Sequence, residues 1–265
     1  MTEWNAPEYA RIAALQEVMA AQALSLLDLK GSEHVLDLGC GNGKVTAEIA
    51  ARIPQGSVVG VDASGHMIDF AAQQYSPSTH PNLRFETCDI RHLPFRREFD
   101  LVVSFNALHW IPEQKDALHA IHAAMKPGAR ARLRLVPAGQ RKSLENVLEE
   151  TRLSSRWAGY YHDFRDPYLH LTPEEYGALA EQCGLQVQSI DTTDEAWDFG
   201  SRAGFEAFGS VTFVEWTKRL SEDDRPGFVK DVLNRYRSEV ANGPGEENMF
   251  KFYQMNMTLL RRDEV

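Results

Sequence analysis

Cysteine is scarce and scattered. Cys40, Cys88 and Cys183 are all that 265 residues contain. An odd number without metal-ligand spacing argues against a disulfide framework and against a cysteine metal site, so no metal is expected, and free thiols in a reducing cytoplasm are. Long apolar runs are missing too: no window approaches the roughly 18 uncharged apolar residues that a membrane span needs. The start, Met1-Thr2-Glu3-Trp4-Asn5, offers neither a basic nor an apolar region of the secretory kind, so no secretion signal is expected. Positive charge is in deficit, with 28 Lys and Arg against 38 Asp and Glu, a net charge of −10. A field of that sign repels phosphate backbones and anionic lipid, so neither nucleic acid nor a membrane is an expected partner. Repeats and low-complexity tracts are absent as well. What is left, 43% hydrophobic and 25% charged residues, is the composition of an ordinary globular protein, and the length admits one large domain or two small ones.

The first ~140 residues alternate helical and strand signals, the mark of βαβ units. Residues 7–29 carry apolar Ile12, Leu15, Val18, Met19, Leu26 and Leu27 at helical spacing. Strands are expected at 34–38, 57–61, 83–87, 99–105 and 129–136, and helices at 44–52, 65–75 and 115–125. Lys126-Pro127-Gly128 is expected as a turn. Five such strands with crossovers imply a parallel sheet covered on both faces. Beyond them, 143–156 is expected as helix, 157–171 as an ordered loop, 185–192 and 250–260 as strands, and 201–240 as helical. Thr172-Pro173-Glu174-Glu175 is a strong helix start, with Thr as N-cap, Pro at N1 and Glu at N3; that helix should end at Gly184. Neither Pro nor Gly marks a linker. The expectation is a single domain: a helical cap at 1–30, a core at 31–140, and helices at 141–250 inserted around the sixth strand. The fold class is a doubly wound α/β sheet of seven mostly parallel strands, Rossmann-like, with helical insertions.

Residues 35–43 read Val-Leu-Asp-Leu-Gly-Cys-Gly-Asn-Gly, a strand delivered into a glycine turn just before a helix. Glycines admit close backbone approach, and a helix start presents unpaired N–H groups. A dinucleotide fingerprint needs Gly-x-Gly-x-x-Gly, whereas Gly39, Gly41 and Gly43 give Gly-x-Gly-x-Gly. Asp37 also opposes a pyrophosphate and suits a ligand with an ammonium group. Asp62 ends the second strand, where a carboxylate accepts both hydroxyls of a ribose. Asp89 follows the third strand and can accept from an adenine amino group. Asn106 to Trp110 follow the fourth. All lie at carboxyl ends of successive strands, where this architecture binds ligands.

This combination resembles the class I S-adenosylmethionine-dependent methyltransferases. The shared features are Val-Leu-Asp-Leu-Gly-Cys-Gly-x-Gly, Val-x-Val-Asp, Asp-Ile, Phe-Asp-x-Val and Lys-Pro-Gly, in order across residues 35–136. Many members have Lys-Pro-Gly-Gly; Ala129 departs from that at a structural turn. The resemblance implies S-adenosylmethionine as cofactor. Gly39, Cys40 and Gly41 would border its methionine part, with Cys40 a small filler and not a nucleophile. Asp62, beside Ala63, would bind the ribose. Met67 would lie against the adenine, Asp89 and the Ile90 backbone would read its edge, and Asn106 would sit beside the amino-acid end.

The acceptor is signalled more weakly. The stretch holding Tyr9, expected at the cofactor, and Gln16, together with Leu-His-Trp ending at Trp110, resembles the juvenile hormone acid and farnesoic acid O-methyltransferases, where the matching Gln and Trp hold the substrate carboxylate. The start of the chain and the Trp110 region are also similar to trans-aconitate methyltransferases. Carboxylate O-methylation of a partly apolar small molecule is the expected reaction; N-, C- or hydroxyl O-methylation, or cofactor binding without catalysis, are the alternatives. Gln16 and Trp110 are neutral donors that orient an anion without competing for the methyl. His109 is the candidate base for a hydroxyl or amine; a carboxylate with pKa near 4 needs none. Six basic and no acidic residues lie between Lys126 and Lys142. Arg130, Arg132 and Arg134 share one strand face, so Arg134 can meet an anionic substrate, or all three can pair with Glu145, Glu149 and Glu150. Trp157, Tyr160 and Tyr161 stand in the expected substrate lid. Phe205, Phe208, Phe213 and Trp216 are expected as core. A monomer or homodimer is expected.

Overall fold

Neighbouring strand residues point to opposite sides of a sheet, so a strand that is apolar on both sides must be covered twice. His34–Leu38 (β1) is such a strand, with Val35, Leu36 and Leu38 fully buried. The computed structural model describes residues 6–262, without the side chains of 6–13 and 244. It contains a seven-stranded sheet completed by Ser57–Asp62 (β2), Leu83–Thr87 (β3), Phe99–Phe105 (β4), Met125–Leu135 (β5), Leu185–Asp198 (β6) and Met249–Arg261 (β7). The order is β3-β2-β1-β4-β5-β7-β6. The pairs β1–β2, β2–β3, β1–β4 and β4–β5 are parallel, and β5–β7 is antiparallel. Chain order reverses direction between β1 and β4, which opens a crevice beyond their carboxyl ends.

The helices are Ala6–Ser25 (α1), Lys44–Arg52 (α2), Gly65–Gln74 (α3), Gln114–Ala124 (α4), Leu144–Arg152 (α5), Pro173–Gln182 (α6), Arg202–Thr212 (α7), Val214–Thr217 (α8) and Arg225–Val240 (α9). On one sheet face Leu36, Leu38, Val59, Val61 and Val102 pack against Leu118 and Ile121 of α4 and Tyr176 of α6. On the other, Val35, Val58, Leu101 and Val103 pack against Ile49 and Ala50 of α2 and Leu24 of α1. Both faces are apolar, as a doubly covered parallel sheet requires.

Several boundaries differ from expectation. Helix α1 stops at Ser25 rather than 29, and α5 at Arg152 rather than 156. Lys126-Pro127-Gly128 is not a separate turn but lies inside β5. The 201–240 stretch is three helices, the last carrying Pro226 in its first turn, where proline's missing N–H costs nothing. Strand β6 runs to Asp198, six residues beyond 192; its outer part is largely exposed, so no apolar alternation announces it. The Thr172 cap is present as expected: its hydroxyl accepts from Glu175 N–H while the Glu175 carboxylate accepts from Thr172 N–H.

The chain groups into two compact units. Residues 20–137, 169–193 and 254 onward form one, which contains β1 to β5 and the described crevice. The other comprises residues up to 19, 138–168 and 194–253, and its interior is aromatic. There Trp157 meets Phe228 edge-on at 5.3 Å between ring centroids, Phe199 stacks on Phe205 at 5.1 Å, and Trp216 lies 5.9 Å from Phe164. Phe205, Phe213 and Trp216 are fully buried in it.

Candidate active site

The crevice is built by four strand ends. After β1 the chain turns at Gly39 with φ +74°, and Gly39 N and Cys40 N donate to Val61 O at 2.8 and 3.0 Å. Only glycine fits position 39: a Cβ there would come within 2.2 Å of the Ala107 Cβ. Asp62, ending β2, ties this loop to the next. Its Oδ2 accepts from Gly41 N at 3.0 Å and its Oδ1 from Ser64 N at 2.9 Å. Behind the loop, buried Asp37 accepts from the Thr46 hydroxyl at 2.7 Å. Burial, opposed by that hydrogen bond and aided by the Asp62 charge, lifts its carboxyl to about 6. Burial also pushes the Cys40 thiol far up, so it stays protonated and inert.

Asp89, past β3, caps the short turn Ile90–His92 through Arg91 N–H. The Arg91 guanidinium folds back on the same carboxylate at 2.6 to 3.1 Å and reaches Glu113 Oε2 at 2.8 Å. The Arg91 bonds hold the Asp89 carboxyl down at about 2. Past β4, Asn106 adopts φ +58°, a left-handed conformation that asparagine tolerates better than most residues. A cavity of about 460 Å³ is lined by Gly39, Asp62, Ala63, Asp89, Ile90, Asn106 and Trp110, with Arg91, Ala107, Ile111, Pro112 and Glu113.

Residues 35–128 match the methyltransferase-domain family. Over 253 residues the chain is 30% identical to the trans-aconitate 2-methyltransferase of Escherichia coli O1:K1 / APEC, a match covering 94% of this chain and 93% of that one. The chain belongs to the class I S-adenosylmethionine-dependent methyltransferases. It is also 29% identical over 257 residues to the trans-aconitate 2-methyltransferase of Deinococcus radiodurans, with 94% and 95% of the two chains covered. The YcgJ protein of Bacillus subtilis shares the fold, with TM-score 0.66, 16% identity, and 94% and 100% of the chains aligned.

The methyltransferase's cofactor is S-adenosylmethionine, and the residues present fit it. The glycine at position 39 keeps clear a space that a Cβ would disturb, and the strand ends present the carboxylates of Asp62 and Asp89, while the Arg91 guanidinium in the lining is already bonded to Asp89 and Glu113. Among the described residues, no helix of this methyltransferase is long and apolar enough to cross a membrane.

Other expected site residues lie elsewhere. Met67 is about half-exposed on α3 and does not line the cavity. Gln16 is exposed on α1, and the Tyr9 side chain and Trp4 lie outside the described residues. His109, the candidate base for a hydroxyl or amine acceptor, is placed inside the protein. It is buried, its Nδ1 accepts the Val136 N–H at 3.1 Å, and burial drives its pKa to about 3. The aromatics expected in a substrate lid are placed as follows. Trp157 and Tyr161 are buried core, the indole N–H donating to Asp231 at 3.0 Å and the Tyr161 hydroxyl to Trp216 O at 3.2 Å. Tyr160 is exposed and donates to Asp224 at 2.8 Å.

Arg134 is likewise turned away from solvent. It is buried, and its guanidinium donates to Asn256 at 3.1 Å and to Gln22. Arg130 and Arg132 donate to Asp28 O and to Thr258. Two of the three glutamates expected as their partners have others: Glu149 takes Arg152 and Trp216, and Glu150 takes Lys142 and Arg235. Antiparallel β7 supplies the polar groups that make a cationic fifth strand tolerable. Arg91, Glu113 and Ile111 had no signal in the sequence marking them as cavity residues.

Proposed function

We propose that the cavity at the β1/β4 reversal holds the cofactor and that the methyl acceptor is a carboxylate oxygen of a small organic acid. S-Adenosylmethionine supplies an electrophilic methyl on a cationic sulfur. Asp62 would accept from the ribose hydroxyls while keeping its two backbone N–H bonds. Asp89 and the Ile90 N–H would face the adenine edge, and Asn106 and the glycine turn the amino-acid end. Buried Asp37 adds negative potential where an ammonium is expected. Trp110 would orient the acceptor as a neutral donor.

The acceptor reading rests on the lining of the cavity. Among the described residues, no His, Lys, Cys or Tyr lines it. Asp89 is held ionised by Arg91, and the nearby imidazole has its Nδ1 occupied. The carboxylates that line it, Asp62, Asp89 and Glu113, are each engaged with backbone N–H groups or with Arg91, and a carboxylate acceptor, already ionised at neutral pH, asks for no base. The likeness to trans-aconitate 2-methyltransferases over nearly the whole chain supports the same chemistry. Catalysis would then rest on positioning and exclusion of water, for which intramolecular analogues give on the order of 7–11 kcal/mol.

The test is a screen of di- and tricarboxylic and partly apolar monocarboxylic acids with labelled cofactor, followed by alkali. A methyl ester releases its label as methanol. Product label that survives alkali, as an N-, C- or ether-linked methyl does, removes the carboxylate reading.

A further inference from the structure

The Leu135–Val136 peptide, where β5 leaves the sheet, is held at both of its polar atoms by side chains from distant parts of the chain. Its carbonyl accepts from Gln254 Nε2 at 2.9 Å. Its N–H donates to His109 Nδ1 at 3.1 Å. The same Gln254 amide donates to Asn106 Oδ1 at 3.1 Å. Gln254 is 0% exposed, and its Oε1 has no hydrogen-bond partner among the described residues. A buried amide with an unsatisfied oxygen is costly, so its two donations, to Asn106 and to Leu135 O, define what it does there. Asn106 and His109 bracket the segment 106–110, whose Asn106, Ala107 and Trp110 line the cavity. Two further backbone bonds run from this segment: Asn106 N to Arg134 O at 2.7 Å, and Leu169 N to His109 O at 2.8 Å.

We infer that Gln254 and His109 are positioning residues, which clamp the Leu135–Val136 peptide between them and thereby hold segment 106–110 in the shape that receives the amino-acid end of the cofactor. His109 acts as a hydrogen-bond acceptor and takes no proton from substrate. Gln254 acts through Asn106, whose left-handed backbone has to be held against more populated conformations. The inference rests on the proposed cofactor site and adds to it the residues that shape one end.

The experiment compares His109→Asn, His109→Leu and Gln254→Met with the wild-type chain. Affinity for S-adenosylhomocysteine and for 5′-methylthioadenosine, which lacks the amino-acid end, is read by calorimetry, alongside the pH profile of methylation. Asparagine can place an acceptor oxygen near the position of Nδ1, so His109→Asn should stay within about threefold of wild type in both affinity and rate. His109→Leu and Gln254→Met should weaken S-adenosylhomocysteine about tenfold and 5′-methylthioadenosine less than about twofold.

If His109→Asn is as inactive as His109→Leu, and the wild-type rate rises with pH through a pKa near 6.5, His109 is a base and the inference falls. It also falls if Leu and Met lower only the melting temperature, or weaken both ligands alike. Should Gln254→Met not fold, isosteric Gln254→Glu removes the same two N–H donors and must give the same split. Asp62→Ala separates the two levels: unchanged affinity there overturns the cavity assignment and the clamp with it. Weakened affinity there, with Gln254 and His109 variants unaffected, overturns the clamp alone.

Discussion

Asp37 and His109 are buried ionisable side chains that pull stability in opposite directions with pH. The Asp37 carboxyl sits at about 6 against an ordinary 3.8, so folding favours its neutral form. Its favourable contribution is complete below the ordinary value and is lost as pH rises through 6, a loss of about 3 kcal/mol by neutrality. Asp37→Asn keeps an oxygen for Thr46 and should unfold at higher urea than wild type near pH 8, with the gap closing toward pH 4. A gap independent of pH would show that Asp37 carries no such cost. His109 is depressed from 6.5 to about 3, so its contribution is intact above 6.5 and lost as pH falls below it. His109→Asn should therefore flatten the acid side of the stability curve. At the cavity, Asp62→Ala removes a charged acceptor worth roughly 1.5–3 kcal/mol, and cofactor affinity should drop about 10- to 100-fold by calorimetry.

The turn after β1 shows why one glycine of a motif matters more than its neighbour. Gly39 and Gly41 both have positive φ, but a Cβ meets Ala107 at 2.2 Å only at 39; at 41 nothing lies within 4 Å. Gly41→Ala should cost only the left-handed penalty of about 1–2 kcal/mol, whereas Gly39→Ala should displace the loop and weaken cofactor binding at least about tenfold. Melting curves and calorimetry on both variants decide; equal effects would mean that the clash relaxes freely. The Gly-x-Gly-x-Gly signal was visible in the sequence, but the difference between its members was not, because Ala107 belongs to another strand end. The same limit explains the elements. The Thr172 helix start was legible since capping box and proline lie within four residues. The outer half of β6 was not, because an exposed polar edge strand is held by its one sheet neighbour, β7, and not by its own pattern.

Across the whole molecule, aromatic residues do two different jobs that composition cannot separate. Trp110 lines the cavity, whereas Trp157 and Tyr161 fill the interior of the second unit with their polar atoms satisfied. Trp157→Ala should lose about 3–5 kcal/mol in urea unfolding, as large core truncations do. Tyr160→Ala, an exposed site, should lose about 1 kcal/mol or less. If Tyr160→Ala is the more destabilising of the two, the placement of that aromatic core is wrong.

Local patterns in the sequence determined the parallel core, the glycine turn and the acids at successive strand ends. Apolar periodicity locates a strand, and the residue following its last apolar position is at the carboxyl end, where a doubly wound sheet binds its ligand. Tertiary structure alone decided which groups meet there. Arg91 reaches Glu113 across 22 residues, and Gln254 reaches Asn106 across 148. It also gave His109 the Val136 N–H to accept, and gave Arg134 Gln22 and Asn256 as partners. A side chain's chemistry is written in its identity, but its protonation state and partners follow from what surrounds it, and those surroundings come from strands far apart in the chain.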